Sequence, residues 1–334
     1  MLLGWLIMDN PKSDGRLNEK ALGLTAFLRN QSFFLLIVIV MLSIVFGSMN
    51  PRFLTWGNLL AVFQQITVLG IATMAMALLL ISGGIDLSIG SMIGLSSVVI
   101  CTLVMRGSSV FFAIPIGLCI PILCGFINGV IVSKSKCVPL IVTLGMNYVY
   151  YGLALVISQG LFLSLKGNFQ YLGRGRVMGV PMPMIVVITM VIATHFLLTY
   201  TKYGRRLVAM GGNEQLAYLS GINVDRLKII NYTLSGAIIG LASLVLVSRL
   251  GNVLANAGEG YELRALAAAI IGGVTFEGGR GTIAGTFLGV ILLGIVQNGL
   301  NILNVSSYFQ TLAVGVIIVV AVVVSNLEKI RNRQ

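Results

Sequence analysis

The sequence predicts an all-α polytopic membrane protein with about ten transmembrane helices and both termini in the cytoplasm. Of its 334 residues, 57% are apolar and only 10% are charged, whereas a soluble domain is about 45–50% apolar and about 25% charged. The mean hydropathy is +0.98, and no long polar block is present that could form a soluble domain. This composition excludes an ordinary soluble enzyme, a disordered chain and a nucleic-acid-binding domain.

Ten segments approach the length and composition of a membrane-spanning helix, which needs about 20 mostly apolar residues. They are 33–49, 59–81, 87–105, 110–132, 137–158, 182–201, 229–248, 262–276, 281–303 and 307–324. The eighth segment is short and rich in alanine, so we expect it to be tilted or joined to its neighbours. A count of eight or nine spans therefore remains an alternative.

The spans divide the chain into three parts. A cytoplasmic N-terminal segment (1–30) precedes the transmembrane domain (31–327), which contains a long cytoplasmic loop (202–228), and a cytoplasmic tail (328–334) follows. The apolar stretch 1–8 is too short to span a membrane. It also lacks the basic segment and the small-residue cleavage site of a signal peptide, so we do not interpret it as one.

Basic residues predict the orientation, because Lys and Arg accumulate in cytoplasmic loops. With the N-terminus inside and alternating spans, 15 of the 22 Lys and Arg residues fall on the cytoplasmic side and the other 7 fall outside. This excess favours an even number of spans with both termini inside. It also explains the net charge of +12 without a nucleic-acid partner.

Glycine is abundant, with 40 residues, and several glycines lie four apart on one helix face. Small residues at this spacing let two helix backbones approach closely inside a membrane, and such faces also suit helices that slide during a conformational change. The repeats are Gly90/Gly94, Gly236/Gly240 and Gly281/Gly285/Gly289. Pro115 and Pro121 are expected to kink the fourth span.

Two glycine-rich breaks interrupt the apolar runs. The first, SGGIDLSIG at 82–90, ends one span with two glycines and begins the next with Asp86. Asp86 is either the N-cap of the following helix, whose first amides need an acceptor, or part of a discontinuous helix that faces a solute path. The second break, 272–281, aligns with the first with a two-residue gap and is a weak sign of internal duplication.

Polar residues inside the spans are candidates for a wet path through the membrane. Such residues also hold helices together by hydrogen bonds across a bundle, and the sequence leaves both roles open. The candidates are Asp86 and the uncharged residues Gln64, Gln65, Asn128, Asn147, Tyr148, Tyr151, Asn231, Gln297 and Asn298. The scarcity of ionisable groups within the spans favours a neutral solute.

An ion-coupled secondary transporter is the alternative from another class, and Asp86 and His195 would be its ion-binding groups. A membrane enzyme is not predicted, because no nucleophile–base–carboxylate set, HExxH motif or pair of catalytic acids is present. The four cysteines match no zinc or redox spacing. The sequence therefore predicts no catalytic residue, no metal site and no cofactor.

The long cytoplasmic loop predicts a two-turn helix outside the bilayer. Asn213 suits the N-cap, Glu214 suits the positive end of the helix, and Gly221 suits its stop. A short helix has little stability alone. It therefore either packs on its own membrane domain or docks into a groove of a cytoplasmic partner.

Five segments in order carry a resemblance to a known family: ISGGIDLSIGS (81–91), YGRRLVAMGGNEQLAYLSGINV (203–224), GYEL (260–263), IIGGVTFEGGRGTIAGT (270–286) and NGLNILNVSSYFQ (298–310). From about Asn30 onward, the chain resembles the permease subunits of bacterial ABC sugar importers of the ribose, galactose, arabinose and allose type. The resemblance implies the ABC importer permease fold, a place in the bacterial inner membrane and a monosaccharide as solute. The same superfamily includes permeases for autoinducer-2, nucleosides and branched-chain amino acids, which are alternatives.

The resemblance also implies partners. Such a permease is half of a dimer in the lipid bilayer, formed with a second copy or a sister permease. Two cytoplasmic ABC ATPase subunits drive it, and a periplasmic sugar-binding protein delivers the solute; no nucleic acid is involved. The chain has no GxxxxGK[ST] loop to hold ATP phosphates, so hydrolysis is expected in a separate chain.

By similarity, the helix of the cytoplasmic loop is the coupling helix that fits the ATPase subunit, with the residues Asn213, Glu214, Gln215, Leu216, Ala217, Tyr218, Leu219, Ser220 and Gly221. Related importers have Glu-Ala-Ala-x-x-x-Gly here, whereas this chain keeps only a nearby alanine and a longer spacing to the glycine. The resemblance further implies that arginines on the outer side dock acidic residues of the binding protein. These are Arg52, Arg174, Arg249 and Arg264, with Arg106 and Arg176 nearby.

Overall fold

The computed structural model describes residues 31–331, so the predicted segment 1–30 and the last residues of the predicted tail, 332–334, lie outside it. Its helices are α1 Gln31–Met49, α2 Trp56–Ile81, α3 Ile89–Met105, α4 Val110–Ser135, α5 Pro139–Ser158, α6 Tyr171–Arg174, α7 Met182–Tyr200, α8 Lys202–Gly212, α9 Glu214–Leu219, α10 Val224–Leu250, α11 Tyr261–Ile271, α12 Ile283–Ile302 and α13 Ser307–Arg331. A 3-10 turn, Pro51–Leu54, precedes α2. Two short antiparallel ribbons pair β1 Leu163–Ser164 with β4 Asn252–Val253, and β2 Arg176–Val177 with β3 Val180–Pro181.

Seven helices in the described part of the chain are long and apolar enough to cross a membrane. They are α1, α2, α4, α5, α7, α10 and α12. Helix α3, with 17 residues, is shorter but also apolar. The all-α polytopic architecture predicted from the sequence is therefore confirmed.

Helices α2 and α10 form the centre of the bundle. Every residue from Ile66 to Ile81 in α2 is buried, as expected for a helix that is apolar on all sides. The outer helices α1, α5 and α7 instead expose large apolar side chains, among them Phe34, Val156 and Phe196. Contiguous exposed apolar surface of this kind is suited to lipid.

The bundle has two ends, which we name by their contents. The α9 end carries α8, α9 and both glycine-rich breaks, and the Gly279 amide donates a hydrogen bond to the Ile81 carbonyl at 2.8 Å across these breaks. The two segments with similar sequences are therefore in direct contact. The arginine end carries the four short strands and the residues Arg52, Arg106, Arg174, Arg176 and Arg249.

Glycine and proline explain how α4 packs against its neighbours. A Cβ on Gly236 of α10 would overlap the carbonyl of Pro121, so glycine is what lets these two backbones touch. Pro121 has no N–H, which leaves the Gly117 carbonyl one turn earlier without its helical partner. Ser96 of α3 supplies the missing donor at 2.8 Å, as a membrane interior requires.

The eighth predicted span, 262–276, is wrong as a full-length helix. Helix α11 has 11 residues and ends at Ile271, which is about 16 Å long at 1.5 Å per residue and too short to cross a bilayer. The chain from Gly251 to Gly260, including β4, is non-helical and precedes α11. It lies against the first turns of α3, where Gly90 contacts Gly258 and Gly94 contacts Ala255. A run of apolar residues fixes hydropathy but not helical continuity, so composition could not reveal this break.

The cytoplasmic loop predicted at 202–228 folds into α8, α9 and the start of α10. Asn213 caps α9 by accepting from the Leu216 amide at 3.0 Å, and Gly221 adopts φ 82° after the helix ends. The predicted short helix with this N-cap and stop is confirmed.

Candidate functional site

A buried polar cluster closes the bundle just before α3. The Asp86 carboxylate accepts from the Ser88 amide (2.8 Å), the Ser88 hydroxyl (2.6 Å) and the Asn128 side chain (3.2 Å), and Tyr150 donates to Asn128 at 2.9 Å. All four side chains are at most 2% exposed. We call these four residues the Asp86 cluster. It satisfies polar groups that would otherwise be costly to bury.

The cluster corrects one sequence-based alternative. Ser88, not Asp86, holds the N-cap position of α3, because Asp86 uses its carboxylate on Ser88 and Asn128 within the preceding turn. The N-cap interpretation of Asp86 is therefore wrong by two residues. Helix α2 ends at Ile81 and α3 begins at Ile89, so Asp86 lies in a break between two helices, and its side chain there is buried.

Helix α10 holds the segment before α3 from one side. Tyr232 donates to the Ile85 carbonyl at 2.9 Å, and the Asn231 side chain donates to the Ser82 hydroxyl at 2.8 Å. Tyr203 of α8 donates in turn to Asn231 at 2.9 Å. Burial raises the pKa of the Tyr203 phenol, which keeps it a neutral donor. These bonds join α8 and α10 to the segment.

A cavity of about 220 Å³ lies where the first turns of α3 and α11 meet α5. We call it the central cavity. Its lining contains two carboxylates but no lysine or arginine: Gly90, Ser91, Asn147, Tyr148, Tyr151, Ala255, Asn256, Glu259 and Glu262. The cavity is open on the side of Tyr148, whose side chain is 70% exposed.

A second cavity, of about 480 Å³, opens at the α9 end. It is lined by Ser82, Gly83, Gly84, Val132, Ser133, Lys136, Cys137, Val138, Pro139, Glu214, Asp225, Lys228 and Tyr232. Along the chain, the segment 85–88 joins residues 82–84, which line this cavity, to residues 90–91, which line the central cavity. We call 85–88 the inner wall.

A third cavity, of about 270 Å³, lies near the arginine end. It is lined by Gln65, Ile66, Leu69, Arg249, Tyr261, Arg264, Gln297, Asn301, Ser307 and Gln310. Within the described part of the chain, neither arginine of this cavity pairs with a carboxylate. The Arg249 guanidinium instead donates to the Gln64 carbonyl at 2.9 Å.

The four arginines expected to dock a binding protein have different surroundings. Arg174 donates to the Arg249 carbonyl at 2.7 Å, Arg249 donates to the Gln64 carbonyl at 2.9 Å, and Arg264 lies over the Tyr261 ring at 5.7 Å. Arg52 is exposed in the 3-10 turn. Each side chain reaches the arginine end or the cavity beneath it, although Arg174 is engaged with the end of α10.

Helix α9 has one face on the protein and one face free. Ala217 is 4% exposed, whereas Leu216, Tyr218 and Leu219 are 61%, 70% and 78% exposed. Glu214 does not point outward alone, because both of its carboxylate oxygens bind Lys228 of α10, at 2.7 and 2.8 Å. This ion pair holds α9 against α10, and the exposed apolar face of α9 points away from α10.

The structure distributes seven of the path candidates named from the sequence among several places. Asn147 and Tyr151 line the central cavity, and Gln65 lines the cavity near the arginine end. Asp86 and Asn128 lie in the closed cluster. The other two are Asn298, which bonds Asn58 at 3.0 Å and Gln65 at 3.4 Å between α12 and α2, and Gln64, which is half-buried on α2.

Sequence reasoning missed Glu262, Glu259 and Asn256 in the central cavity and Tyr150 in the Asp86 cluster. Glu262 lay within the GYEL segment and at the start of the eighth predicted span, so the rule that an intramembrane carboxylate marks a site would have found it. Tyr150 gave no such signal, because nothing in the local sequence separates it from its neighbour Tyr151.

Residues 58–322 match the family model described as branched-chain amino acid transport system / permease component. The chain is 39% identical to the ribose import permease protein RbsC of Bacillus subtilis over 84% of this chain and 88% of that protein. It is 36% identical to the D-allose transport system permease protein AlsC of Escherichia coli, over 89% of this chain and 91% of that protein. No solved structure matches the chain. The chain therefore belongs to the family of branched-chain amino acid transport system permease components, as a multi-pass membrane protein.

Proposed function

We propose that this chain is the transmembrane permease subunit of a binding-protein-dependent ABC importer that moves a monosaccharide, a ribose-like pentose or a hexose, across the bacterial inner membrane. The relatives named as ribose, allose and arabinose permeases, at 33–39% identity over most of the chain, support the solute class. The absence of a phosphate-binding GxxxxGK[ST] loop from the sequence supports ATP hydrolysis in a separate subunit.

The observation that carries the mechanism is the connection from α9 to the inner wall. Glu214 of α9 binds Lys228 of α10, and Tyr232, one helical turn further along α10, binds the wall carbonyl at Ile85. A movement of α9 is thus transmitted through a single rigid helix to the segment that connects the linings of two cavities. Displacement of that segment joins the central cavity to the α9 end, which is the inward step of alternating access.

The partners follow from the surfaces at each end. The exposed apolar face of α9 suits a groove in a cytoplasmic ATPase subunit, so we propose that the α9 end faces the cytoplasm. The arginines of the opposite end have no carboxylate partner within the described residues and suit acidic groups of a periplasmic sugar-binding protein. The open side of the central cavity suits a second permease, either another copy or a sister chain, with the solute path between them.

The central cavity favours a neutral sugar over the other solutes of this superfamily. An amino acid carries a carboxylate, which is disfavoured beside a lining that has two carboxylates and no lysine or arginine. A nucleoside or autoinducer-2 remains chemically compatible with the cavity and is the alternative solute of the same importer type. An ion-coupled transporter is less favoured, because Asp86 is enclosed by uncharged partners.

The test is uptake of radiolabelled ribose, allose and arabinose into proteoliposomes that contain the chain with its ATPase subunit and binding protein. We expect accumulation of one sugar that requires ATP and all three components. Accumulation by the purified chain alone, driven by a proton or sodium gradient, would contradict the proposal. An ATP-dependent uptake of leucine but of none of the sugars would replace the solute class while keeping the importer.

A further inference from the structure

Helix α7 presents a continuous apolar and aromatic stripe on its outer side. Ile192, Phe196 and Tyr200 lie four residues apart on one helix face and are 63%, 60% and 65% exposed. The rings of Phe196 and Tyr200 lie 5.6 Å apart. We call these three residues the α7 stripe, and its composition is suited to lipid. Tyrosine is enriched where the apolar core of a bilayer meets its headgroups, so Tyr200, the last residue of α7, marks that boundary.

Helix α8 begins at the depth of this boundary. The chain turns at the extended residue Thr201, which caps α8 by accepting from the Gly204 amide at 3.1 Å. A Cβ on Gly204 would overlap the carbonyls of Leu197 and Leu198, so the first turn of α8 packs beside the last turn of α7. The residues next to Gly204 are therefore held at the level of the lipid headgroups.

The buried side of α8 determines which residues point away from the protein. Leu207 and Met210 are 0% and 2% exposed, and residues three apart share a helix face. The opposite side of α8 is exposed and basic. We call it the cationic face, and it consists of Lys202, Arg205 and Arg206.

The cationic face has no acidic partner on the protein. Within the described part of the chain, Lys134 and Lys228 take part in the two ion pairs, and the cationic face takes part in neither. Three uncompensated positive charges therefore lie within five residues. Anionic headgroups attract Lys and Arg close to the bilayer surface, and the guanidinium group of arginine binds phosphate through two parallel hydrogen bonds.

We propose that the cationic face binds the phosphates of anionic phospholipid headgroups, whose acyl chains lie along the α7 stripe. The continuity of the two surfaces favours lipid over an acidic protein, because a protein in the aqueous phase would cover the charges and leave the stripe uncovered. This interaction goes beyond the proposed function, since neither the solute nor the ATPase subunit takes part. In the orientation proposed above, the headgroups belong to the inner leaflet.

The test is native mass spectrometry of the purified full chain in detergent, titrated separately with phosphatidylglycerol and phosphatidylcholine. We expect tighter binding of phosphatidylglycerol. Arg205→Gln with Arg206→Gln should weaken phosphatidylglycerol binding about tenfold or more and leave phosphatidylcholine binding unchanged. Arg205→Lys with Arg206→Lys keeps both charges and should retain most of the preference. Inorganic phosphate at the same concentration should not displace the lipid, because it has no acyl chains to lie along the α7 stripe.

Arg226→Gln is the matched control. Arg226 is also exposed at the α9 end, but it lies in the first turn of the central helix α10, so its loss should not change the lipid preference. Size-exclusion profiles of all variants report folding.

The inference is overturned if the wild-type chain shows no preference for phosphatidylglycerol, or if the double glutamine variant retains that preference. Loss of ATPase co-purification by this variant, with its lipid preference unchanged, would also overturn it and would assign the cationic face to the ATPase subunit. The titrations use the permease alone, so a failure of ATP-driven uptake would contradict the proposed function without affecting this result.

Discussion

Glu214 shows how a residue role implied by sequence changes once its contacts are known. A glutamate at the start of a short helix suits the positive helix end, and its place in a coupling loop suggested contact with an ATPase. Its two oxygens instead bind Lys228, whose side chain is only 23% exposed. The local sequence could not reveal this, because the partner lies fourteen residues away on another helix.

Reversing the Glu214–Lys228 charges tests whether this ion pair couples α9 to α10. We expect Glu214→Lys to lower the coupling between ATP hydrolysis and uptake about fivefold, which corresponds to the loss of an ion pair worth about 1 kcal/mol. The double variant Glu214→Lys with Lys228→Glu should recover most of the coupling. The ratio of sugar transported to ATP hydrolysed in proteoliposomes measures both. A double variant as impaired as the single one would show that Glu214 acts by touching the ATPase instead.

At the scale of elements, the sequence predicted what local chemistry determines. Asn213 and Gly221 fix α9 because a cap acceptor and a residue with positive φ act within one turn. The half-length α11 could not be predicted in this way, since its continuation 251–260 is held open by contacts with Gly90 and Gly94 on a distant helix. The closed state of the Asp86 cluster likewise depends on Asn128 and Tyr150, far away in the chain.

The apolar face of α9 should be the surface that an ATPase subunit covers. Leu219→Asp places a charge where an apolar side chain is 78% exposed, and burying that charge against a partner is costly. We expect the variant permease to lose co-purification with the ATPase subunit while its own size-exclusion profile is unchanged. Leu219→Met, which keeps the surface apolar, is the matched control and should bind normally. Equal recovery of the ATPase with both variants would place docking elsewhere.

Glycine at the α4–α10 crossing should be required for stability. Gly236→Ala puts a Cβ into the Pro121 carbonyl, and such overpacking costs about 1–3 kcal/mol. Gly145→Ala on α5 is the control, because its Cβ would meet nothing within 4 Å. Thermal unfolding in detergent should show a lower midpoint for the first variant and no loss for the second. Similar midpoints would mean that this crossing is looser than the structure shows.

At the scale of the whole molecule, the protein is a passive subunit in which α9 is linked through α10 to the inner wall, the segment 85–88. Ser88 and Asp86 of this segment bond each other in the Asp86 cluster, and Tyr232 of α10 bonds the Ile85 carbonyl. The sequence predicted α9 and a break in the helix at the inner wall. It did not predict that α10 links the two, because a hydrophobic pattern alone does not show which helix joins two distant segments.

The most direct test is whether the inner wall opens during turnover. In a cysteine-free background, Ser88→Cys replaces a residue that is fully buried, with Thr73→Cys as a buried control in α2 and Met178→Cys as an exposed control at the arginine end. Labelling with a small thiol reagent is measured in the complex with ATPase and binding protein, with and without ATP and sugar. The account predicts that position 88 is protected at rest and labelled during turnover, while position 73 stays protected and position 178 is always labelled. Protection of position 88 throughout active sugar uptake would contradict it.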